Sequence, residues 1–188
     1  MKNSLNVEFL ENKIKFINYP FKISDVYFKK EILLSEIEVC IENFIPPVIQ
    51  TKKKELLFIS AVQKEQLLLF CKKNKIPVIQ KNENWADILE IFLDIDITKE
   101  ELEFCYKRLK QNGISKELCD TIRKEVCNKM IAYNFDSCLW EWVHLGLYDI
   151  LEASLGILSG KKYCMEQKEF QKFYWQAMKI EFMGKNGV

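Results

Sequence analysis

Histidine is almost absent from the sequence, and this limits the metal sites that one chain can build. His144 is the only histidine among 188 residues, so zinc sites with two histidines, such as the HExxH motif, are excluded within a single chain. Glu141 and His144 match the helical Glu-x-x-His motif of di-iron bundles. Those bundles need two such motifs and further inward-pointing glutamates, and the sequence has one copy. We therefore predict no metal site and no cofactor.

An excess of charge of either sign is also lacking. The chain has 28 basic and 27 acidic residues, whereas a nucleic-acid-binding protein usually concentrates basic residues on one face. Arginine, which is best suited to bidentate contacts with phosphate or guanine, occurs only at Arg108 and Arg123. Nucleic acid is therefore not favoured as a partner. The helices predicted over residues 98–132 do have helix-turn-helix proportions, so nucleic-acid binding through them is the third hypothesis for function.

The seven cysteines lack the arrangements that disulfide scaffolds use. Their number is odd, no pair has the C-x-x-C spacing, and most lie within apolar segments. We therefore expect reduced cysteines buried as small apolar side chains, which favours a cytoplasmic location. Glu8 and Glu11 interrupt the start of the chain before the apolar core of a signal peptide could form. No apolar run reaches the ~20 residues that a membrane-spanning helix needs.

A calcium-binding loop is incomplete in this sequence. Asp94-x-Asp96-x-Thr98 resembles the start of such a loop, but lysine and cysteine replace its glycine and its closing glutamate. Residues 83–103 nevertheless contain eight acidic residues and one lysine. We interpret this run as a solvated face, with an electrostatic contact to a basic partner as the alternative.

Apolar material for a core is abundant. Apolar residues make up 48% of the sequence and aromatic residues 13%, and with low net charge this composition predicts a folded chain. Residues 13–17 alternate charged and apolar side chains, as a half-buried strand does. Residues 25–28 are also consistent with a strand. A short strand is also consistent with residues 76–79. Ser60 and Gln63 match a capping box and predict the start of a helix that ends near residue 75.

Beyond a polar linker at residues 80–84 the periodicity becomes helical. A second capping box, Thr98 with Glu101, predicts a helix that ends near Gln111. We predict two domains, residues 1–80 and residues 81–188. The expected fold class is α+β, with a small, mainly antiparallel, strand-rich N-terminal unit that has one helix and packs on an all-helical C-terminal unit of about five helices.

Three segments of the first domain together resemble a known family. The three segments are residues 29–37, 54–59 and 63–74, and their order along the chain resembles that of the strands and helix in a bacterial pleckstrin-homology-like domain. In such domains a terminal helix closes antiparallel strands. The resemblance spans at most residues 5–75 and has no diagnostic residue. It implies a binding or scaffold module rather than an enzyme.

The candidate site residues lie on a helix predicted from residue 136 or 137 to about residue 155. In that helix Glu141, His144, Tyr148 and Glu152 form one narrow stripe, with Asp149 beside it. We interpret the stripe as the solvent-facing edge of a buried helix. The alternative is a titratable cluster in which a lone histidine stands between carboxylates. No catalytic residue is assigned, and these four are the weak candidates.

The leading hypothesis for function is a non-enzymatic, cytoplasmic interaction or regulatory protein that binds another protein or itself. Its support is apolar material predicted on the surface of the last helix, at Trp175, Met178 and Phe182. An enzyme that uses the stripe around His144 is the alternative hypothesis.

Overall fold

The computed structural model describes residues 5–93, 96–136, 144–156 and 163–184. Strands lie mainly in the first part of the chain and the long helices in the second, so the predicted α+β class is confirmed. The chain separates into two compact units, Met1–Lys81 and Asn82–Val188.

The first unit begins with a three-stranded antiparallel sheet in the order β1-β2-β3. Its strands are β1 (Asn6–Phe9), β2 (Lys13–Asn18) and β3 (Glu31–Leu33). The alternation predicted for β2 is confirmed, because Ile14 and Phe16 are buried and their neighbours are not. The interpretation of residues 25–28 as a strand is wrong, since Asp25–Lys29 forms a short helix, α1, that ends where Lys30 takes the left-handed conformation.

A second sheet of the first unit has four strands in the order β6-β5-β4-β7. These are β4 (Ile37–Ile41), β5 (Val48–Thr51), β6 (Leu56–Phe58) and β7 (Val78–Ile79). β7 runs parallel to β4, because the chain passes through the helix α2 (Lys64–Lys73) before it returns to the sheet. The short strand expected within residues 76–79 is therefore confirmed.

The capping box expected at Ser60 is wrong. Ser60 precedes a 3-10 turn (Ala61–Gln63), and its side chain makes no capping hydrogen bond. The Gln63 amide instead reaches β1, where its Nε2 donates to the Val7 carbonyl at 2.8 Å and its Oε1 accepts from the Val7 N–H at 3.1 Å. A side-chain amide offers the same donor and acceptor as a peptide group, so Gln63 occupies the outer edge of β1 as a neighbouring strand would.

The described part of the second unit contains five helices. They are α3 (Asn84–Leu89), α4 (Lys99–Gln111), α5 (Lys116–Asp136), α6 (Leu147–Leu155) and α7 (Gln167–Glu181). The capping box at the start of α4 is confirmed, because Glu101 N–H donates to Thr98 Oγ1 at 3.2 Å and Thr98 N–H donates to Glu101 Oε2 at 2.8 Å.

The continuous helix predicted from residue 136 or 137 to residue 155 is wrong. α5 extends to Asp136, residues 144–146 are not helical, and α6 starts at Leu147. The helix cannot be continuous through Gly146, because the backbone there is extended, with φ −139° and ψ −162°. Trp140, whose position on the apolar face of the predicted helix favours a place in the core of the helical domain, lies outside the described residues.

The short helix α3 is held at both ends by buried charges. The Glu181 carboxylate accepts the N–H groups of Asn84 and Trp85 at 3.2 and 3.1 Å. At the other end the Arg123 guanidinium donates to the carbonyls of Asp87 and Ile88 at 3.1 and 2.9 Å. The four N–H and four C=O groups at helix ends have no partner within the helix, so these two side chains supply partners from α7 and α5.

In the described part of the chain, no helix is both long and apolar enough to cross a membrane. Six of the seven cysteines lie in that part, and none of these six is in a disulfide. Cys164 is exposed and Cys127 half-buried, so the expectation that the cysteines are buried holds for the other four.

The two arginines of the chain allow a matched test of how α3 is held. We predict that Arg123→Lys lowers the free energy of unfolding by about 2–3 kcal/mol, because an ammonium cannot make the buried, forked hydrogen bonds of the guanidinium. Arg108→Lys, at a side chain that is 42% exposed, should cost about 1 kcal/mol or less. Chemical denaturation of both variants provides the measurement, and equal losses would contradict the assignment.

Candidate functional site

The structure does not place the four candidate residues on one helical stripe. Glu141 lies outside the described residues. His144 lies in the extended segment before α6, while Tyr148 and Glu152 lie on α6 itself. The residues that surround His144 therefore come from other parts of the chain.

His144 faces Glu83, the residue that precedes α3. Its Nε2 lies 3.2 Å from Glu83 Oε2, and the two side chains are 25% and 6% exposed. The other oxygen, Glu83 Oε1, accepts the Leu147 N–H at 2.6 Å. Glu83 thus caps the N-terminus of α6 across 64 residues of sequence, and it brings a carboxylate to the positive end of that helix.

Gly146 makes this approach of Glu83 possible. A Cβ atom built on Gly146 would lie 2.2 Å from Glu83 Oε1 and 2.9 Å from Glu83 Oε2. Gly146 lacks a side chain, so the Glu83 carboxylate can reach the backbone at the start of α6. For the same reason Gly146 cannot cap the helix with a side chain of its own.

Asp149 is a second carboxylate at the same helix end. Its Oδ2 accepts the Gly146 N–H at 2.8 Å, and its side chain is buried rather than solvent-facing beside a stripe. Burial raises the pKa of Asp149 to about 7, and the negative charge of Glu83 contributes in the same direction. The hydrogen bond from the Gly146 N–H acts in the opposite direction and lowers this pKa. The nearby positive charge of His144 favours the ionised carboxylate.

Two tyrosines complete the cluster. The Tyr133 hydroxyl, on α5, lies 3.2 Å from Asp149 Oδ1 and 3.0 Å from Glu152 Oε2. It carries one proton and can donate it to only one of these carboxylates at a time. The Tyr148 hydroxyl donates to Glu152 Oε1 at 2.7 Å. Burial, followed by the charges of Asp149 and Glu152, raises the pKa of Tyr133, so its hydroxyl stays protonated and acts as a donor.

The pKa of His144 is raised although the imidazole is largely buried. Burial, the largest single influence, lowers this pKa, but the nearby Glu83 carboxylate outweighs it, with smaller contributions from Asp149 and Glu90. The arrangement can hold and exchange protons near neutral pH. Across the described residues, no group of three or more histidine, cysteine and acidic side chains is arranged to hold a metal ion.

A weak local pattern could have identified part of this cluster. Gly146 followed by Asp149 has the spacing of a helix start with an acidic residue at its third position. Nothing in the sequence indicates that Glu83 or Tyr133 would join them, because those contacts cross 64 and 16 residues of chain.

The acidic run at residues 83–103 is not a single solvated face. Glu83, just before α3, and Asp87, within it, are buried, and burial raises the pKa of the half-buried Glu90. Arg123 is also turned inward, where it binds α3, and it is only 5% exposed. Arg123, which belongs to the second of the two helices with helix-turn-helix proportions, is therefore not available for contacts with nucleic acid.

A different kind of surface lies in the first unit, between β1 and α2. It is an open groove of about 830 Å³, which we call the β1–α2 groove. Phe9 and Phe70 pack in it with ring centroids 5.4 Å apart. Leu10 and Leu69, one from each wall, are 40% and 68% exposed. The remaining lining residues are Val7, Glu8, Glu11, Gln66 and Lys73.

Two smaller clefts have more charged walls. A cleft of about 170 Å³ in the first unit is crossed by the ion pair between Asp25 and Lys53, whose Oδ2 and Nζ lie 3.2 Å apart. A shallow depression of about 420 Å³ on α4 surrounds Phe104, which is 58% exposed. On α7, Trp175 is 42% exposed but Met178 is buried and Phe182 half-buried, so the apolar surface expected on the last helix is reduced to one tryptophan.

Comparisons of the chain with protein-family models, with curated proteins and with solved structures give no match. The candidate sites therefore depend on their geometry and chemistry alone.

We predict that Gly146→Ala destabilises the protein by about 1–3 kcal/mol, because the added methyl group displaces the Glu83 carboxylate from the start of α6. In a Glu83→Ala background the same substitution should cost less than about 0.5 kcal/mol, since the obstructing group is gone. Denaturation of the two single variants and the double variant gives the coupling energy.

Gly113→Ala is the matched control for this cycle. Gly113 has φ +81° and nothing within 4 Å of an added Cβ, so its substitution is costly through backbone strain rather than a clash. Glu83→Ala should leave that cost unchanged. A coupling of similar size for both glycines would contradict the close approach of Glu83 to Gly146.

Proposed function

We propose that this protein is a non-enzymatic protein-interaction protein and that its β1–α2 groove binds an amphipathic helix of another protein. The observation that carries the proposal is the exposure of Leu10 and Leu69 on opposite walls of a groove with a paired aromatic centre. Exposed apolar side chains that are grouped around a concave surface are typical of binding sites, whereas isolated ones need no explanation.

The helical wall extends the apolar surface beyond the groove. Val62, in the 3-10 turn before α2, is 91% exposed. Within α2, Gln66 and Leu69 lie three residues apart, so they share one face, and both line the groove. Anchors at this spacing are the kind that a second amphipathic helix uses when it packs into a groove.

The bound segment is a helix rather than an added strand because β1 offers little free edge. Gln63 already occupies the N–H and C=O of Val7. Peptide groups of alternate residues face the same side of a strand, and Leu10 N–H is bonded to Lys13 on the β2 side. Within β1, whose residues are Asn6–Phe9, Phe9 is then the one residue whose peptide group still faces outward. Strand addition would gain too few backbone hydrogen bonds, whereas side-chain anchors do not need them.

Charges on the two walls define the partner further. Glu11 and Lys73 both line the groove, on the strand wall and the helix wall. No ion pair within 4 Å involves either of them in the described part of the chain, whereas Glu8 is paired with Lys15 at 3.3 Å. A complementary helix has a leucine-rich face, with a basic residue placed against Glu11 and an acidic residue against Lys73.

The enzyme hypothesis gains no comparable support. His144, Tyr148 and Glu152 do not line any of the three clefts described above, and Glu152 accepts hydrogen bonds from Tyr133 and Tyr148. A catalytic group must reach a substrate in a concave site.

The proposal is tested by first identifying the segment that occupies the groove. A photoreactive benzophenone amino acid is placed at position 69 and, as a control, at position 28 in the source cells. Phe28 is 76% exposed and does not line the groove, so it matches Leu69 in exposure. We expect a covalent adduct at position 69 but not at position 28, and fragmentation of the adduct gives the partner segment.

The synthetic partner segment is then titrated against purified variants. We predict that Leu69→Asp and Leu10→Asp each weaken its Kd at least tenfold, about 1.4 kcal/mol, and that Phe28→Asp leaves it unchanged. The bound segment should be helical by circular dichroism. An adduct formed only with a second copy of this chain, a segment that binds without helix formation, or equal losses in all three variants would each overturn the proposal.

A further inference from the structure

The start of α6 brings more carboxylates together than its positive end can neutralise. Glu83 and Asp149 accept the N–H groups of Leu147 and Gly146, the first two donors of this helix end. The side chains of both acids are nearly fully buried. A helix N-terminus carries about half a positive charge, so two buried carboxylates exceed it.

Among the described residues, groups from α3, α5 and α6 act on this cluster. His144 faces Glu83 and is also influenced by Asp149 and by Glu90, which follows α3. Asp149 is within hydrogen-bond distance of Tyr133 from α5, and Tyr133 also contacts Glu152 of α6. The one cationic side chain that these contacts include is His144, whose charge depends on pH.

We propose that Glu83, His144 and Asp149 form a pH-sensitive latch that joins the N-terminus of α6 to the start of α3 at acidic pH and releases it as pH rises through neutrality. With His144 protonated and Asp149 neutral, the three side chains have no net charge, because the imidazolium balances Glu83. With both protons lost, they carry two negative charges. Each capping hydrogen bond is strong when its carboxylate is ionised, but two buried negative charges repel each other and favour an open form in which the N–H groups of Gly146 and Leu147 are exposed to water.

The direction follows from the shifts of both groups. The pKa of Asp149 is raised to about 7 by burial, and the pKa of His144 is raised by Glu83. We call the joined state the closed form and the released state the open form. A group whose pKa is higher in the closed form stabilises that form fully at pH values below its open-form pKa. This stabilisation is lost as pH rises through the closed-form pKa. For Asp149 the window runs from its ordinary value of 3.8 to about 7. For His144 it begins at 6.5 and extends upward. Both contributions favour the open form at higher pH.

The two capping amides report the state of the latch directly. Hydrogen exchange of Gly146 and Leu147 is measured by NMR from pH 5.5 to 8, with correction for the intrinsic pH dependence of exchange. We expect their protection to fall at least tenfold over this range, since each proton released on opening changes the opening constant up to tenfold per pH unit. The amide of Leu109, buried on α4, reports opening of the whole unit and should change less.

Three variants separate the latch from a general effect of pH. Asp149→Asn keeps an oxygen that can accept from Gly146 but does not titrate, so the fall in protection below pH 7 should be lost. Glu83→Gln removes the charge that faces His144, and the imidazole pKa, measured from the single histidine, should fall. Glu103→Gln, on the exposed face of α4, is the control and should behave like wild type.

Several results would overturn the latch. These are constant protection of both capping amides from pH 5.5 to 8, a parallel change at Leu109, or a fall that persists undiminished in both Asp149→Asn and Glu83→Gln. A wild-type imidazole pKa below 6.5 would do so as well. The wild-type measurements suffice if a variant fails to fold.

Discussion

Two buried, opposite charges at the ends of α3 hold the second unit together. α3 has six residues, which is too short for a helix to be stable by itself in water. Glu181 from α7 binds its first N–H groups, and Arg123 from α5 binds its last carbonyls. Each charge has the sign that the helix dipole favours at that end. Both side chains are almost fully buried. Removal of either one therefore leaves buried N–H or C=O groups of α3 without the hydrogen-bond partner that this side chain supplies.

The same short segment organises the other helices. Asn84 donates from its Nδ2 to the carbonyls of Ile180 and Met183, both at 2.9 Å, and its Oδ1 accepts from Asn112 at 2.7 Å. It thereby satisfies carbonyl groups at the end of α7 and joins them to the end of α4. Glu83 adds the start of α6. These inward contacts explain in physical terms why the run of acids that begins at Glu83 is not a solvent-facing surface.

The accuracy of the sequence predictions depended on the distance in sequence over which the contacts act. The alternation in β2 and the box of Thr98 and Glu101 are local patterns whose partners lie within a few residues, and both are confirmed. Gln63 also matched a local box, but Val7, 56 residues away, offered its amide a better-matched pair of partners. The helix expected through Gly146 failed for a similar reason, because a carboxylate from residue 83 determines the backbone there. Apolar periodicity indicates that a helix has a buried side, but it does not reveal which polar groups will share that side.

The polar cluster at α6 and the apolar groove at β1 illustrate different consequences of a missing local partner. Gly146 has no side chain with which to cap α6, so the helix start takes its partners from Glu83 and Asp149. Those carboxylates satisfy the backbone, yet their burial makes the cap depend on protonation. At β1, Gln63 satisfies the backbone edge with a neutral amide, and nothing about that contact depends on pH. What remains at β1 is exposed apolar surface around Leu10 and Leu69. The latch that we propose at α6 therefore responds to protons, whereas the groove that we propose as a binding site at β1 responds to a partner.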